Sequence, residues 1–375
     1  MTRTTARSRT DYEALLQALG ACISAGIPAL LWGDPGEGKT SVVESARVHG
    51  WHVETVIVSH YEPSDFVGLP VLGPDGSVTL APPAWARRIA AHPGRSIAFF
   101  DEWTTASPSV QAAALRPLTH REVGALQLPE GVSFVAAANP LDVAAGGWEL
   151  APPTANRFVH LDWSLPLEVY AECVVTGHWP TIPVYGPGTA AELATSQVLV
   201  SGFLRSRQSQ LKAIPQDATG RGGAFPTPRT WEFASRLTAL ARTHGLGTEV
   251  VRLLVAGAIG ASTAHEFLVW CESQDLPDPE ELLADPATGR FRSLRSDRVY
   301  VALQAVASAV MTRPDAQRWA AAIRVCAVAA DEGHLDSAVP VVRALIRNGS
   351  RPDGAQVPPE ITAFAAPLAL AGLLP

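Results

Sequence analysis

Apolar residues recur every three or four positions between Asp11 and Ser24, at Leu15, Leu16, Leu19, Cys22 and Ile23. That is the spacing of one helix face. The pattern then changes. Ile27 to Trp32 is a short apolar run that ends in a glycine-rich turn, Thr40 to Val48 reads as a helix, and Val53 to Val58 alternates as a strand does. Ile97 to Phe100, Val132 to Ala138 and Phe158 to Leu161 are further short apolar runs; the first leads into Asp101 and Glu102, the second into Asn139. Strands that alternate with helical stretches predict a mostly parallel sheet covered by helices. Ligands of such sheets bind beyond the carboxyl ends of the strands, which is where these polar residues fall.

Two stretches interrupt the alternation. Phe66 to Pro82 holds two short apolar runs around Gly73-Pro74-Asp75-Gly76, a hairpin signal. Gln208 to Thr227 is polar and glycine-rich and reads as a mobile loop. Beyond it, Pro228 to Ala241, Thr248 to Ala258, Thr263 to Cys271, Arg298 to Met311, Ala316 to Ala330 and Leu335 to Arg347 have helical spacing, with a proline-rich joint from Leu276 to Pro286. The apolar tail, Ile361 to Pro375, is short and contains Pro367, so it predicts a helix packed on the body. The expected organisation is an α/β domain over residues 1–164 with a hairpin insertion near 66–82, a helical lid over 165–275, and a C-terminal helical region over 276–375.

Gly33-Asp34-Pro35-Gly36-Glu37-Gly38-Lys39-Thr40 matches G-x-x-x-x-G-K-[ST] and stands between a predicted strand and helix. The glycines let backbone N–H groups turn inward around phosphate oxygens. Lys39 is placed to reach the β- and γ-phosphates and the Thr40 hydroxyl to hold Mg²⁺, and the stretch from Gly33 to Ser41 is expected to bind the nucleotide. Only two of the 29 cationic residues are lysines, Lys39 and Lys212. That scarcity reduces a chance match to on the order of one in a thousand such chains. Downstream, an Asp at a strand end can hold Mg²⁺ and the Glu after it can polarise a water. These are Asp101 and Glu102. An acidic loop after a core strand is common, but an upstream phosphate loop favours the catalytic reading. Asn139 can hold the water or the γ-phosphate. On its own it is equally a turn-forming Asn before Pro140.

The order of phosphate loop, Asp-Glu strand end, Asn strand end and then Asn156-Arg157-Phe158 resembles the AAA+ superfamily, and more narrowly the MoxR family. The likeness is strongest from Asp101 to Val159 (DEWTTASPSVQAAALRPLTHREVG, FVAAANP, LAPPTANRF) and extends over Asp11 to Ala241. The fold it implies is α/β: a P-loop NTPase sheet sandwiched by helices, then an all-α lid and a C-terminal helical region. It implies ATP and Mg²⁺ as ligands. Lys39 and Thr40 match the Walker A residues, Asp101 and Glu102 the Walker B residues, and Asn139 sensor 1. Arg157 matches the arginine finger that reaches a neighbouring subunit's γ-phosphate. Arg229, in Pro226-Thr227-Pro228-Arg229-Thr230-Trp231, matches sensor 2 on the lid. Two guanidinium groups there would stabilise transition-state charge. Arg121 is a further candidate for a subunit boundary. The hairpin over 66–82 falls where the family carries a pore-facing insertion. The resemblance also implies a ring, commonly of six chains, that remodels a protein client, with a von Willebrand factor A domain protein as a possible partner.

Composition adds limits. The chain has 375 residues, 47% hydrophobic and 17% charged, enough for a large core in two or three domains. A net charge of −7 disfavours nucleic acid as the default partner, because binders need a basic face. Cys22, Cys173, Cys271 and Cys326 have neither metal-ligand spacing nor a disulfide framework, which fits reduced thiols in a cytoplasmic protein. The first residues are polar, without the apolar core of a signal peptide, and no apolar run is long enough to span a bilayer, so no membrane partner is expected. Two other readings stay open: an ATP-gated scaffold with little turnover, and a DNA-acting or chelatase-type motor on the same fold.

Overall fold

The computed structural model describes residues 8–140, 143, 146–273, 277–347, 351–370 and 372. Nine strands occur among them: β1 (Ala29–Trp32), β2 (His52–Ile57), β3 (Leu69–Leu72), β4 (Val78–Ala81), β5 (Ser96–Asp101), β6 (Glu122–Val123), β7 (Leu126–Gln127), β8 (Val132–Ala138) and β9 (Val159–Asp162). Five of them form one parallel sheet in the order β2-β5-β8-β1-β9. The predicted α/β P-loop fold is therefore observed. In register, Trp32 lies beside Ala138 on one flank and Asp162 on the other, and Asp101 lies beside Ile57. The ends of β1, β5 and β8 thus open side by side.

By compactness the chain divides into two units, residues 1–188 with 211–265, and residues 189–210 with 266–375. In the first unit the helix Arg9–Ala25 starts from a capping box between Ser8 and Asp11 and stops at Gly26, whose φ is 64°. It packs on β1, β8 and β9 and against helices Pro228–Thr243 and Thr248–Ile259. One sheet face is filled by aromatic residues. The Phe100 ring lies within 6.0 Å, centroid to centroid, of Phe66, Trp85, Trp103 and Phe134. All five are buried, and each such side chain contributes roughly 1.5–3 kcal/mol by leaving water. This cluster fixes β5, and with it the position of Asp101.

The second unit is helical. Its core gathers Phe291, Trp319 and Phe364 with the apolar faces of Ser296–Thr312, Ala316–Ala329 and Leu335–Ile346. Helix Ala190–Ser206 packs along Ser296–Thr312, and Gly202 permits it, since a Cβ there would stand 2.2 Å from Val301. In the described part of the predicted tail Phe364 and Leu368 are buried and Leu370 is exposed; residues 371 and 373–375 of that tail lie outside the described residues. So do residues 274–276, where the expected lid boundary and the start of the Leu276–Pro286 joint fall.

Several expectations are corrected in detail. The helix expected over Thr40–Val48 is α-helical only from Lys39 to Glu44 and tightens to a 3₁₀ turn over Ser45–His49, ending at Gly50. Between β5 and β6 lie two short helices, Pro108–Ala113 and Leu115–His120, which meet at Ala114. The stretch Gln208–Thr227 contains a 3₁₀ turn, Gln208–Leu211, and a helical turn, Ala218–Arg221. Helices Leu167–Thr176 and Ala190–Ser206 were not predicted. The first buries only Val169 and Cys173, and the second buries Ser196 and Gly202, so neither shows a clean apolar stripe. The hairpin is present as β3 and β4, joined by a turn in which Gly76 N–H donates to Gly73 O at 3.0 Å. Its Leu69, Val71, Leu72 and Val78 are exposed.

Candidate functional site

The phosphate loop leaves β1 at Gly33, whose N–H donates to Ala138 O at 3.2 Å. Gly36 and Gly38 have φ of 83° and 72°, conformations that side chains rarely adopt. A Cβ on Gly38 would also stand 2.7 Å from the Trp179 ring. The loop's outer part, Asp34, Pro35 and Gly36, is exposed, whereas Glu37 is half-buried and its carbonyl accepts from Trp163 Nε1 at 3.0 Å. Lys39 then turns inward. It is buried, and its ammonium donates to Gly33 O at 2.6 Å, Asp34 O at 2.9 Å and Asn139 Oδ1 at 3.0 Å. Three donors meet three acceptors. Burial lowers the Lys39 pKa from its ordinary value, and Asp101, Glu37 and Asp34 oppose that shift.

Thr40 Oγ1 donates to Asp101 Oδ2 at 2.9 Å. The hydroxyl comes from the first helical turn and the carboxylate from the end of β5. Two hard oxygen donors at this separation suit Mg²⁺, which keeps most of its waters and takes few protein ligands. Asp101 Oδ1 also accepts from Glu102 N–H at 2.9 Å. Ser41 lies in the same helical turn, and its carbonyl accepts from Ser45 N–H. Hence Lys39, Thr40, Asp101 and Asn139 come together as one polar cluster, joined at three strand ends.

Glu102 adjoins this cluster in a left-handed conformation, φ 56°, and is exposed. Its Oε2 accepts from Ser59 Oγ at 2.7 Å. Ser59 was not foreseen. The signal available was its place, two residues past the end of β2, the strand that pairs with β5. Tyr12, Trp163 and Trp179 were also missed. The Tyr12 and Trp163 rings meet edge to face at 5.2 Å, and Tyr12 and Trp179 line a cavity of about 370 Å³ with Leu16, Val169 and Cys173. Through Trp179 this cavity adjoins the phosphate loop at Gly38.

The two predicted arginines form a second group. Arg157 follows the short helix Pro152–Ala155 and donates from Nη1 to Pro153 O at 2.5 Å; its Nε is buried without a partner. Arg229 stands exposed at the start of helix Pro228–Thr243. Thr227 caps that helix through a box with Thr230, and its Oγ1 donates to Asn156 Oδ1 at 2.9 Å. Burial lowers the Arg157 pKa from its ordinary value, and the charge of Arg229 lowers it further. Two guanidinium groups with no carboxylate paired to either, among the described residues, make a place for an anion. No hydrogen bond among those residues joins this pair to the Lys39 cluster. Arg121 Nη1 donates to Pro129 O, Glu130 O and Val132 O at 3.2, 2.6 and 3.0 Å, so its guanidinium braces the turn before β8.

Residues 28–158, about a third of the chain, match the family model described as AAA domain (dynein-related subfamily). The matched segment contains the phosphate loop, Asp101, Glu102, Asn139 and Arg157, so these residues lie in a stretch that is similar to AAA domains. No curated protein is similar enough to count as a match. A crystal structure described as "a putative ATPase from Cytophaga hutchinsonii" is 15% identical, covers 70% of this chain and 93% of that one, and has a TM-score of 0.41. The geometry at Gly38 yields a direct expectation. Gly38→Ala will lower ATP affinity at least about tenfold, through positive-φ strain and the clash with Trp179, while thermal melting shifts by only a few degrees. Calorimetric titration and a melting curve of the same sample read both.

Proposed function

We propose that this chain, with its AAA domain at residues 28–158, is an Mg²⁺-dependent ATP hydrolase that works as an assembly of identical chains and remodels a protein partner. The observation that carries the proposal is the contact of Thr40 with Asp101 at 2.9 Å beside that of Lys39 with Asn139 at 3.0 Å. Walls for phosphate and metal come from three neighbouring strand ends. The cavity beside Gly38 would take the nucleobase, with the Tyr12 and Trp179 rings as apolar walls and Arg9, Glu13 and Glu172 as polar partners.

Each residue has a role in this reading. Backbone N–H groups of Gly36, Gly38 and Lys39 would face the phosphates, and the Lys39 ammonium would exchange neutral carbonyls for anionic oxygens. Thr40 and Asp101 would hold Mg²⁺, directly or through its waters; when bound, the ion neutralises charge on the β- and γ-phosphates. Glu102 would orient the attacking water and accept its proton as the water oxygen bonds to the γ-phosphorus. The bond from that phosphorus to the bridging oxygen breaks, releasing ADP and phosphate. Asn139 would hold the γ-phosphate or that water. Arg157 lies apart from the Lys39 cluster and lacks a carboxylate partner, which suits it to the nucleotide of a second copy, and Arg229 would act as sensor 2 at the γ-phosphate.

The finer reading, a MoxR-like ring of about six chains acting as a chaperone, with a von Willebrand factor A domain protein as a possible partner, rests on the motif resemblance. The exposed apolar tip of the β3–β4 hairpin supports a protein client, because exposed apolar patches mark interaction sites. One observation favours a quieter variant of the same reading. The Ser59 hydroxyl holds Glu102, so basal turnover would be low until a partner or second copy releases it. That places the ATP-gated scaffold close to the motor in behaviour. Nothing in the site favours a DNA-acting or chelatase-type motor.

The test is Mg²⁺-dependent ATP turnover against protein concentration. Specific activity of the wild type should rise with concentration. Glu102→Gln should lose at least about 100-fold in turnover while still binding ATP, and Arg157→Ala should lose about 10³-fold. Turnover independent of concentration and unchanged by Arg157→Ala would contradict the assembly. Ser59→Ala should raise basal turnover by up to about tenfold, as one hydrogen bond to a carboxylate is removed from the ground state. An unchanged or lower rate would show that the contact does not restrain Glu102.

A further inference from the structure

Between the two polar groups of the first unit lies a pair of side chains with no part in the chemistry above. Trp32 is the last residue of β1, immediately before Gly33, whose carbonyl accepts from Lys39. Its Nε1–H donates to His160 Nδ1 at 2.9 Å, and the two rings lie edge to edge with planes 16° apart. His160 sits on β9 opposite Leu30, so it is a diagonal neighbour of Trp32 on one sheet face. An indole nitrogen only donates, so Nδ1 must be the unprotonated nitrogen. Nε2 therefore carries the proton and donates to Ala155 O at 2.9 Å. Burial holds His160 below its ordinary pKa, which keeps this neutral tautomer.

The carbonyl so held belongs to the last residue of helix Pro152–Ala155. From that helix the chain passes directly into Asn156 and Arg157. Arg157 is tied back to it by Nη1 to Pro153 O at 2.5 Å and by its own N–H to Thr154 O at 3.1 Å. Asn156 in turn accepts from Thr227 Oγ1, two residues before Arg229. His160 has little room to yield: a Cβ on Gly257, in the helix that covers β9, would stand 2.4 Å from His160 O. The helix just before Arg157 is only four residues long and supplies few bonds of its own to fix that guanidinium.

We infer that Trp32 and His160 are positioning residues which brace the Arg157 segment against the phosphate-loop strand, so that one chain presents its arginine in a fixed place to the nucleotide of a second copy. The inference rests on the reading that Arg157 acts on a second copy. A guanidinium that stabilises transition-state charge must be held closely, because about 1 Å of misplacement can cost of order 100-fold in rate. Spatial intermediacy alone does not establish such a link. The test therefore has to separate what a chain does at its own site from what it lends to its neighbour.

Mixed assemblies do this. Wild-type chains are mixed with an excess of a chain carrying Glu102→Gln, which has no turnover of its own and acts on wild-type sites only as a neighbour. Three versions of the added chain are compared: Glu102→Gln alone, with Trp32→Phe, and with Arg157→Ala. Trp32→Phe keeps an aromatic ring and removes the donor. The expected result is that the Trp32→Phe chain lowers kcat at wild-type sites at least about threefold relative to Glu102→Gln alone, with KM unchanged, and that the Arg157→Ala chain lowers it further. Should Trp32→Phe leave His160 unsatisfied and the chain unfolded, Trp32→Phe with His160→Leu removes both polar partners and keeps apolar packing, and the same loss is expected. A properly folded added chain of either kind that behaves as Glu102→Gln alone, while Arg157→Ala still lowers kcat, overturns this inference only. If the Arg157→Ala chain also behaves as Glu102→Gln alone, action on a second copy is wrong and the inference falls with it.

Discussion

A buried ammonium, Lys39 Nζ, held by two carbonyls of its own loop and the side-chain amide of Asn139, is the contact on which the arrangement of the site depends. Taking a charge out of water costs several kcal/mol unless hydrogen bonds replace the lost hydration. Here all three donors find acceptors, so the lysine stays inside while the site is closed on itself. The same lysine ties β1 to β8, and the Thr40–Asp101 bond ties the following helix to β5. Phosphate would be a better partner than neutral carbonyls for a desolvated cation. The structure is thus poised for an anion, with the loop conformation set by Gly36 and Gly38.

Everything that holds this cluster is scaffold chemistry. The sheet order brings the ends of β5, β8 and β1 next to each other. The aromatic cluster around Phe100 anchors β5, and the helix Arg9–Ala25 covers β1, β8 and β9. Trp163 and Trp179 then brace the phosphate loop from outside, one by a hydrogen bond to Glu37 O and one by contact at Gly38. The paired arginines sit on a separate piece of the same unit, where the Asn156–Thr227 contact joins the segment before β9 to the start of helix Pro228–Thr243. One chain therefore carries the cluster of Lys39, Thr40, Asp101 and Asn139 and, apart from it, two arginines without carboxylate partners among the described residues.

Much of the site was legible in the sequence because its chemistry is local. A phosphate loop needs glycines at fixed spacing around one lysine, and polar residues ending apolar runs mark the carboxyl edge of a parallel sheet. For that reason Lys39, Thr40, Asp101 and Asn139 could be named before they were seen together. What was not legible depends on contacts distant in sequence. Ser59 meets Glu102 only because β2 pairs with β5. Tyr12 and Trp179 line one cavity from segments more than 160 residues apart. The contacts of Arg121 with three backbone carbonyls before β8 likewise depend on the fold and not on any local motif. Helix Ala190–Ser206 escaped notice because small and polar residues form part of its buried face.

The central claim is that the three strand ends make one site for a metal-bound nucleotide, with Lys39 as its fixed charge. The most direct measurement is ATP affinity by calorimetric titration, for the wild type and Lys39→Ala, in Mg²⁺ and after chelation. The account predicts measurable binding by the wild type in Mg²⁺, a loss of at least about tenfold on chelation, and no binding by a folded Lys39→Ala chain under either condition. A folded Lys39→Ala chain that binds ATP as tightly as the wild type would contradict it.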